Sequence, residues 1–314
     1  MKFSHTTVML YETIEGLNVK PDGIYVDGTL GGGGHSALIC SKLDQNGMLI
    51  GIDQDQFALN YAKKRLEPFK CQKKFVNNNF VNLKTILQDL NVAKIDGIIF
   101  DLGVSSFQLD DETRGFSYHH DGPLDMRMDK QAELSAYDVV NYYAFKELVA
   151  ILRNYGEEKH ANRIVKAIIQ QRDIAPITRT LELADLVKKA YPPKERYKQK
   201  HPARKTFQAI RLEVNHELNI LKAALSDAIA FLKPGGRIGV ITFHSLEDRI
   251  VKHLFQEQEN PCICPPDFPK CVCGRLPQVK RITRKPISPS DLEIENNRRS
   301  RSAKLRIAEK IEEK

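Results

Sequence analysis

Ile24-Tyr25-Val26-Asp27-Gly28-Thr29-Leu30-Gly31-Gly32-Gly33-Gly34-His35 is the stretch on which the reading of the fold turns. Ile24 to Asp27 is a short β-rich run. A helical pattern follows the glycines, with Leu38, Ile39 and Leu43 on one side. A glycine-rich turn between a strand and a helix lets backbone approach a ligand closely, beside the unpaired N–H groups of the helix N-terminus. Taken alone, the same run also fits a plain tight connection. The next strand, Met48 to Ile52, ends at Asp53, where a carboxylate can accept hydrogen bonds from ribose hydroxyls. Phe57 to Leu66 reads as a second helix, Lys74 to Val76 as a third strand, and Ile95 to Phe100 as a fourth. The fourth is mostly apolar, at Ile95 and from Ile98 to Phe100, as in a strand buried on both faces. Strand and helix alternate, so the expected architecture is α/β: an open, mostly parallel sheet with helices on both faces.

The alternation stops after Asp110. Asp110 to Tyr191 carries helix signals instead, with Ser135 as a possible cap and Leu148, Ile151, Leu152, Ile164, Ile168, Ile169, Leu183, Leu186 and Val187 at helical spacing. The sheet pattern resumes with a long helix from Thr206 to Leu232, a turn at Lys233-Pro234-Gly235-Gly236 and a strand from Arg237 to Phe243. Val279 to Thr283 and Ser302 to Ala308 are a candidate terminal strand pair. The expected division is a sheet domain from 1–109 and 206–314, with residues 110–205 inserted as a helical subdomain.

Apolar residues make up 41% of the 314, enough for a buried core. Met1 to Leu10 has no basic segment leading into an apolar one, and no run approaches a membrane-spanning length, so a cytosolic protein with no membrane partner is expected. The formal net charge is +8, and it is concentrated. Lys270 to Lys314 holds 13 Lys or Arg against 6 Asp or Glu, and Lys194 to Lys205 holds 6 against 1. Such clusters suit a polyanion such as nucleic acid, although a merely solvated surface has the same composition.

The glycine turn serves a nicotinamide dinucleotide as well as S-adenosylmethionine. Position 36 is Ser36 where the dinucleotide fingerprint wants a third glycine. Asp27 and Asp101, at the ends of two strands facing one crevice, suit a cationic cofactor better than an anionic one. Each Asp is also an ordinary loop or cap residue in the blander reading.

Beyond this point the match becomes specific. His5-Thr6-Thr7-Val8, Asp27 through Ser36, Asp101-Leu102-Gly103-Val104-Ser105-Ser106, Arg114-Gly115-Phe116-Ser117 and Gly122 through Met128 resemble the bacterial RsmH (MraW) family. So do Tyr155-Gly156-Glu157-Glu158, Thr206 through Arg211, Phe243 through Arg249, and Arg299-Ser300-Arg301-Ser302, in the family's order. The resemblance implies a class I S-adenosylmethionine-dependent methyltransferase core, Rossmann-like, carrying a helical insertion. It implies methyl transfer to N4 of a cytidine in the decoding region of 16S rRNA, with the small ribosomal subunit as partner. It places the cofactor contacts on Gly33, Gly34, His35, Asp53, Phe80, Asp101 and Gln108.

A cytosine amino nitrogen is a poor nucleophile because its lone pair is delocalised into the ring. An acceptor for its N–H is therefore needed, and Asp101, the carbonyls of Leu102 and Gly103 and the hydroxyls of Ser105 and Ser106 are candidates. His244 is a candidate for taking the proton, with helix capping as the alternative. No aromatic lies in the loop after Asp101, so base stacking falls to Phe116, Phe207 or Phe243. His201, Arg204, Lys205, Phe207 and Arg211 are the expected substrate contacts, the charged ones on phosphates. No metal is assigned. Cys262-x-Cys264 and Cys271-x-Cys273 offer a zinc alternative, at a spacing shorter than usual.

Overall fold

Short apolar strands alternating with amphipathic helices build one seven-stranded sheet. The computed structural model describes residues 7–103, 109, 111–197, 201–265, 270 and 272–312. The strands are β1 (Ile24–Asp27), β2 (Met48–Asp53), β3 (Gln72–Asn77), β4 (Ile95–Asp101), β5 (Leu232–Thr242), β6 (Val279–Arg281) and β7 (Lys304–Lys310). Their order is β3-β2-β1-β4-β5-β7-β6. The first five are parallel, and β7 runs antiparallel to both β5 and β6. The fourth strand is buried along Ile95–Phe100; its apolar residues fill the core, and its buried Asp96 accepts from Ile24 N at 2.9 Å and pairs with Lys233 at 2.7 Å. β3 is the opposite case, an edge strand whose Lys73 and Lys74 discourage further pairing.

The expected turn at Lys233–Gly236 lies within β5. The pairing jumps from Ile95↔Leu232 to Gly97↔Arg237, so three extra residues are accommodated on β5, with Gly235 at φ 77°. β5 then supplies Arg237–Thr242 to the sheet as expected.

Helices α1 (Leu10–Leu17), α2 (Gly34–Lys42), α3 (Gln56–Leu66) and α4 (Leu83–Asp89) fall in the first part of the chain. The strands place successive residues on opposite faces. Val26, Ile50, Ile98 and Val240 enter one apolar cluster, while Tyr25, Leu49 and Ile99 enter another with Ile14, Ile39 and Leu59. The sheet is thus covered on both faces. It forms one compact unit from residues 1–103 and 219–314.

The second unit, 104–218, is helical. It contains α5 (Ala136–Tyr142), α6 (Phe145–Asn154), α7 (Ala161–Arg172), α8 (Thr180–Ala190) and α9 (Ala203–Val214). Ser135 caps α5, and its partner Asp138 closes a capping box. The unit has its own core, including Val139, Leu152, Ile164, Leu183 and Ile210.

The long helix expected from Thr206 to Leu232 is two helices, α9 and α10 (Glu217–Phe231). His216 adopts a left-handed φ of 51° between them. Asn215 holds the break open: its side chain donates to Met126 O and Arg211 O and accepts from Met128 N. As a result α9 buries Thr206, Phe207, Ala209 and Ile210 in the helical unit, and the sheet unit resumes with α10. The chain continues through α11 (Ser245–Glu259) and α12 (Asp291–Asn296). No helix among the described residues is long and apolar enough to cross a membrane.

Candidate active site

The strand order reverses at β1, between β2 and β4, and the crevice beyond such strand ends is where open α/β sheets bind ligands. The glycine loop leaves β1 there. Gly33 caps α2 in the left-handed conformation, φ 69°. A side chain at Gly34 would have its Cβ 1.8 Å from Thr7 Oγ1, so the backbone approach requires glycine. The helix itself leaves the N–H groups of its first turn unsatisfied, a site for a carboxylate.

Two acids hold this loop. Asp53 Oδ2 accepts from Gly31 N at 2.7 Å, and Oδ1 accepts from Asp55 N at 2.8 Å. Asp27 is buried under the loop and accepts from Ser36 Oγ at 2.7 Å and Thr29 N at 3.2 Å. Burial raises both carboxyls to about 6 against these hydrogen bonds. Ser36 thus serves to anchor Asp27 where a dinucleotide fold has its third glycine.

Asp101, at the end of β4, is the most perturbed group of the crevice. Its Oδ1 is enclosed and accepts no hydrogen bond, while a quarter of the side chain stays open. Burial pushes its carboxyl up to about 8, with the charges of Asp27 and Glu247 acting in the same direction. His35 Nδ1 stands 3.9 Å from Asp101 Oδ2, and its Nε2 is fixed 3.0 Å from Val8 O. Thr29 Oγ1 accepts from the Asp101 N–H at 2.6 Å, joining the strand end to the glycine loop. Two further carboxylates, Asp27 and Glu247, near the orphaned oxygen of Asp101 suit a cationic ligand.

Phe80 follows β3 in a short 3-10 turn that Asn79 caps. It is half-buried, edge-on to Phe100 at 5.5 Å, and keeps part of its ring exposed. Ser105, Ser106 and Gln108 lie outside the described residues.

His244 caps α11. Its Nδ1 accepts from Glu247 N at 3.4 Å, and Nε2 is 3.0 Å from Glu247 Oε1 but poorly aligned with it, so it makes no hydrogen bond. Nδ1 is thus committed to capping the helix, the alternative reading of His244. Glu247 Oε2 reaches back to the N–H groups of Phe243 and His244, at 2.9 and 3.3 Å. Phe243 is half-buried, and a Cβ on Gly103 would stand 3.7 Å from its Cδ2. Phe243 is the one of the three candidates that keeps part of its side chain open, although it also packs against the apolar cluster around Ile241.

The other aromatics are structural. Phe116 and Phe207 are 6% and 3% exposed in the helical core, and Phe207 packs edge-on to Tyr118 at 5.7 Å. Neither has a face free for a base, which corrects the expectation for Phe207. Arg211 also departs from expectation, because its guanidinium is committed to Glu217 in a two-point ion pair of 2.9 and 3.1 Å. Lys205 Nζ donates to Glu157 O at 2.6 Å. His201 stacks on Tyr118 at 5.0 Å and is held below its ordinary pKa, chiefly by burial. Arg204 is half-buried near it in sequence and makes no side-chain hydrogen bond or ion pair among the described residues.

Glu247 and Asp248 are the residues that sequence reasoning passed over. Asp248 is bound by Arg306 at 2.7 and 3.2 Å and by Lys304 at 3.3 Å, which ties α11 to β7. The available signal was a histidine-x-x-glutamate capping box just after a strand.

A glycine loop over a helix N-terminus, Asp53 at the end of the next strand and an acid-lined end of β4 define an S-adenosylmethionine-dependent methyltransferase of the class I, Rossmann-like type. The profile of the MraW methylase family matches residues 2–311, and the chain belongs to that family. It is 56% identical over 311 residues to ribosomal RNA small subunit methyltransferase H of Carboxydothermus hydrogenoformans, covering 99% of each chain. The protein of the same name from Clostridioides difficile is 55% identical, with 99% of this chain and 100% of the relative covered. A solved structure of an rRNA methylase from Streptococcus thermophilus aligns at TM-score 0.43 and 10% identity, over 98% of this chain and 100% of that one.

Proposed function

We propose that the protein transfers a methyl group from S-adenosylmethionine to N4 of a cytidine in the decoding region of 16S rRNA, within the small ribosomal subunit and in the cytoplasm. The observation that carries the reading is Asp101 Oδ1, a buried carboxylate oxygen without a partner at the crevice. The names of the relatives supply the ribosomal RNA substrate class.

The residues around the crevice divide the work. The first turn of α2, at Gly34 and His35, would hold the carboxylate of the methionine tail, Asp53 the ribose, and Phe80 the adenine. Bound S-adenosylmethionine supplies a methyl group activated by its sulfonium. Asp101 Oδ1 accepts one N4–H of the cytosine, which draws the nitrogen toward a pyramidal shape and directs its lone pair out of the ring plane. The geometry needs the reacting atoms roughly 3–3.5 Å apart and in line. As the N–C bond forms, the methyl's bond to sulfur would break and S-adenosylhomocysteine would leave; with the sulfonium charge gone, Asp101, held above the ordinary carboxylate range by burial and then by Asp27 and Glu247, would take the proton that the nitrogen sheds. Arg204 and Lys205, with the basic C-terminal stretch, bind phosphates and set affinity rather than base choice.

The test is incubation with labelled S-adenosylmethionine and either purified small subunits, naked rRNA, DNA or protein, followed by digestion to nucleosides. N4-methylcytidine from small subunits, with little from naked rRNA, is expected. 5-Methylcytidine, a methylated adenosine, or label in DNA or protein refutes the target. Equal rates on naked and assembled RNA refute the requirement for the subunit.

A further inference from the structure

Between α11 and β6 the described residues form no helix or strand, and the apolar side chains face solvent: Ile263 is 65%, Val272 74% and Leu276 55% exposed. A segment that buries so little must offset the entropy of a fixed course by other means. Its cysteines provide one. The sulfurs of Cys262, Cys264 and Cys273 all lie within 4.8 Å of one another. Val272 N donates to Cys264 Sγ at 3.4 Å, and Gly274 turns the chain at φ 63° directly after Cys273.

We propose that Cys262, Cys264 and Cys273 bind a structural zinc ion. Tetrahedral zinc with Zn–S bonds of about 2.3 Å sets its thiolates roughly 3.8 Å apart, within the observed clustering. The close spacing of the first pair is no obstacle. The bend at Cys264 brings both sulfurs within 4.8 Å of each other while Ile263 between them stays exposed to solvent. The N–H···S bond to Cys264 is the kind of outer contact that orients a thiolate and spreads its charge. Binding converts three thiols to thiolates and releases three protons; the resulting site has one net negative charge, next to Lys270 and Arg275 in sequence. Cys271 lies outside the described residues, and the three thiols carry the proposal without it. The ion would fix the course of the basic stretch that leads into β6. None of these residues belongs to the crevice at β1 and β4, so the proposal stands apart from the reaction assigned to it.

The full-length protein, produced in zinc-supplemented medium and purified reduced without chelator, is analysed by plasma mass spectrometry. About one zinc per chain is expected, falling below about a tenth in Cys262→Ser/Cys264→Ser and in Cys273→Ser. Cobalt chloride added to metal-stripped wild-type protein should give the intense visible bands of tetrahedral thiolate coordination. Trypsin cleavage at Lys270 and Arg275 should accelerate on stripping and slow again with zinc chloride. Wild-type protein without zinc and a weak octahedral cobalt spectrum would overturn the proposal, even were the variants to misfold. Full zinc retention in folded variants would overturn it as well.

Discussion

Asp101 should make cofactor binding a proton-linked event. In the ligand-free protein its carboxyl sits at about 8, so at pH 6 only about 1% is ionised and at pH 8 about half. A sulfonium in the crevice attracts the ionised form and returns the group toward the ordinary carboxylate range. Affinity for S-adenosylmethionine should therefore rise with pH between 6 and 8 and level off above. The ratio of ionised fractions gives about 50-fold, ~2.3 kcal/mol, across that interval. The open quarter of the side chain admits water and makes this an upper value. S-Adenosylhomocysteine, whose sulfur is uncharged, should show a much shallower slope. Titration calorimetry at several pH values, in buffers of different ionisation enthalpy, reads both the affinity and the proton released. A flat affinity across the interval, or a slope that persists in Asp101→Asn, refutes the reasoning.

Asp53→Ala should weaken S-adenosylmethionine binding by about 1.5–3 kcal/mol, roughly 10- to 150-fold, because the proposed ribose contacts and the anchor of Gly31 would be lost together; an unchanged calorimetric affinity would remove Asp53 from the site. Phe207→Ala should cost about 3–5 kcal/mol of stability in denaturant unfolding, as expected for a core ring and not for a surface stacking residue. Arg204→Ala should lower RNA affinity and the salt slope by roughly one unit, while Arg211→Ala should destabilise the fold and leave that slope unchanged; equal slopes for the two variants would contradict the distinction. The ligand-free protein should lose stability as pH rises from 6.5 to 8. A raised carboxyl keeps its proton in the folded state where the unfolded chain has lost it, so Asp101 alone removes up to ~1.7 kcal/mol over this window. Thermal unfolding followed across these pH values is the check, and a rising midpoint would reverse the sign.

Much of the sheet was legible because its signals are local. Apolar runs of strand length, the glycine turn and the two carboxylates at strand ends are each contained within a few residues. The helix break at Asn215 was not, since it depends on bonds to Met126 and Met128, far away in the chain, with neither Gly nor Pro to mark it. Phe207 illustrates another limit. An aromatic on an amphipathic helix has the same spacing whether it packs inward or offers its face to a base, and only the position of Tyr118 decides. Likewise Arg211 reads as a free cation until the turn of the chain brings Glu217 to it. The role of Glu247 emerged from the return of its carboxylate to the backbone of Phe243, a capping signal that sequence does reveal but does not place beside Asp101.

The pairing of β4 with β5 has a cost in time during synthesis. β4 ends at Asp101 and β5 at Thr242, with the whole helical unit made between them. At roughly 5–20 residues per second, the ribosome needs about 7–28 s to deliver the partner strand. For that interval the edge of a largely apolar strand, Ile95–Phe100, stands without its neighbour, the condition under which nascent chains aggregate. The helical unit can complete its own core meanwhile, since its cluster draws on no residue of the sheet. A nascent chain stalled before β5 should therefore contain a folded insertion tethered to an unfinished sheet, and that species is the one a chaperone would have to protect.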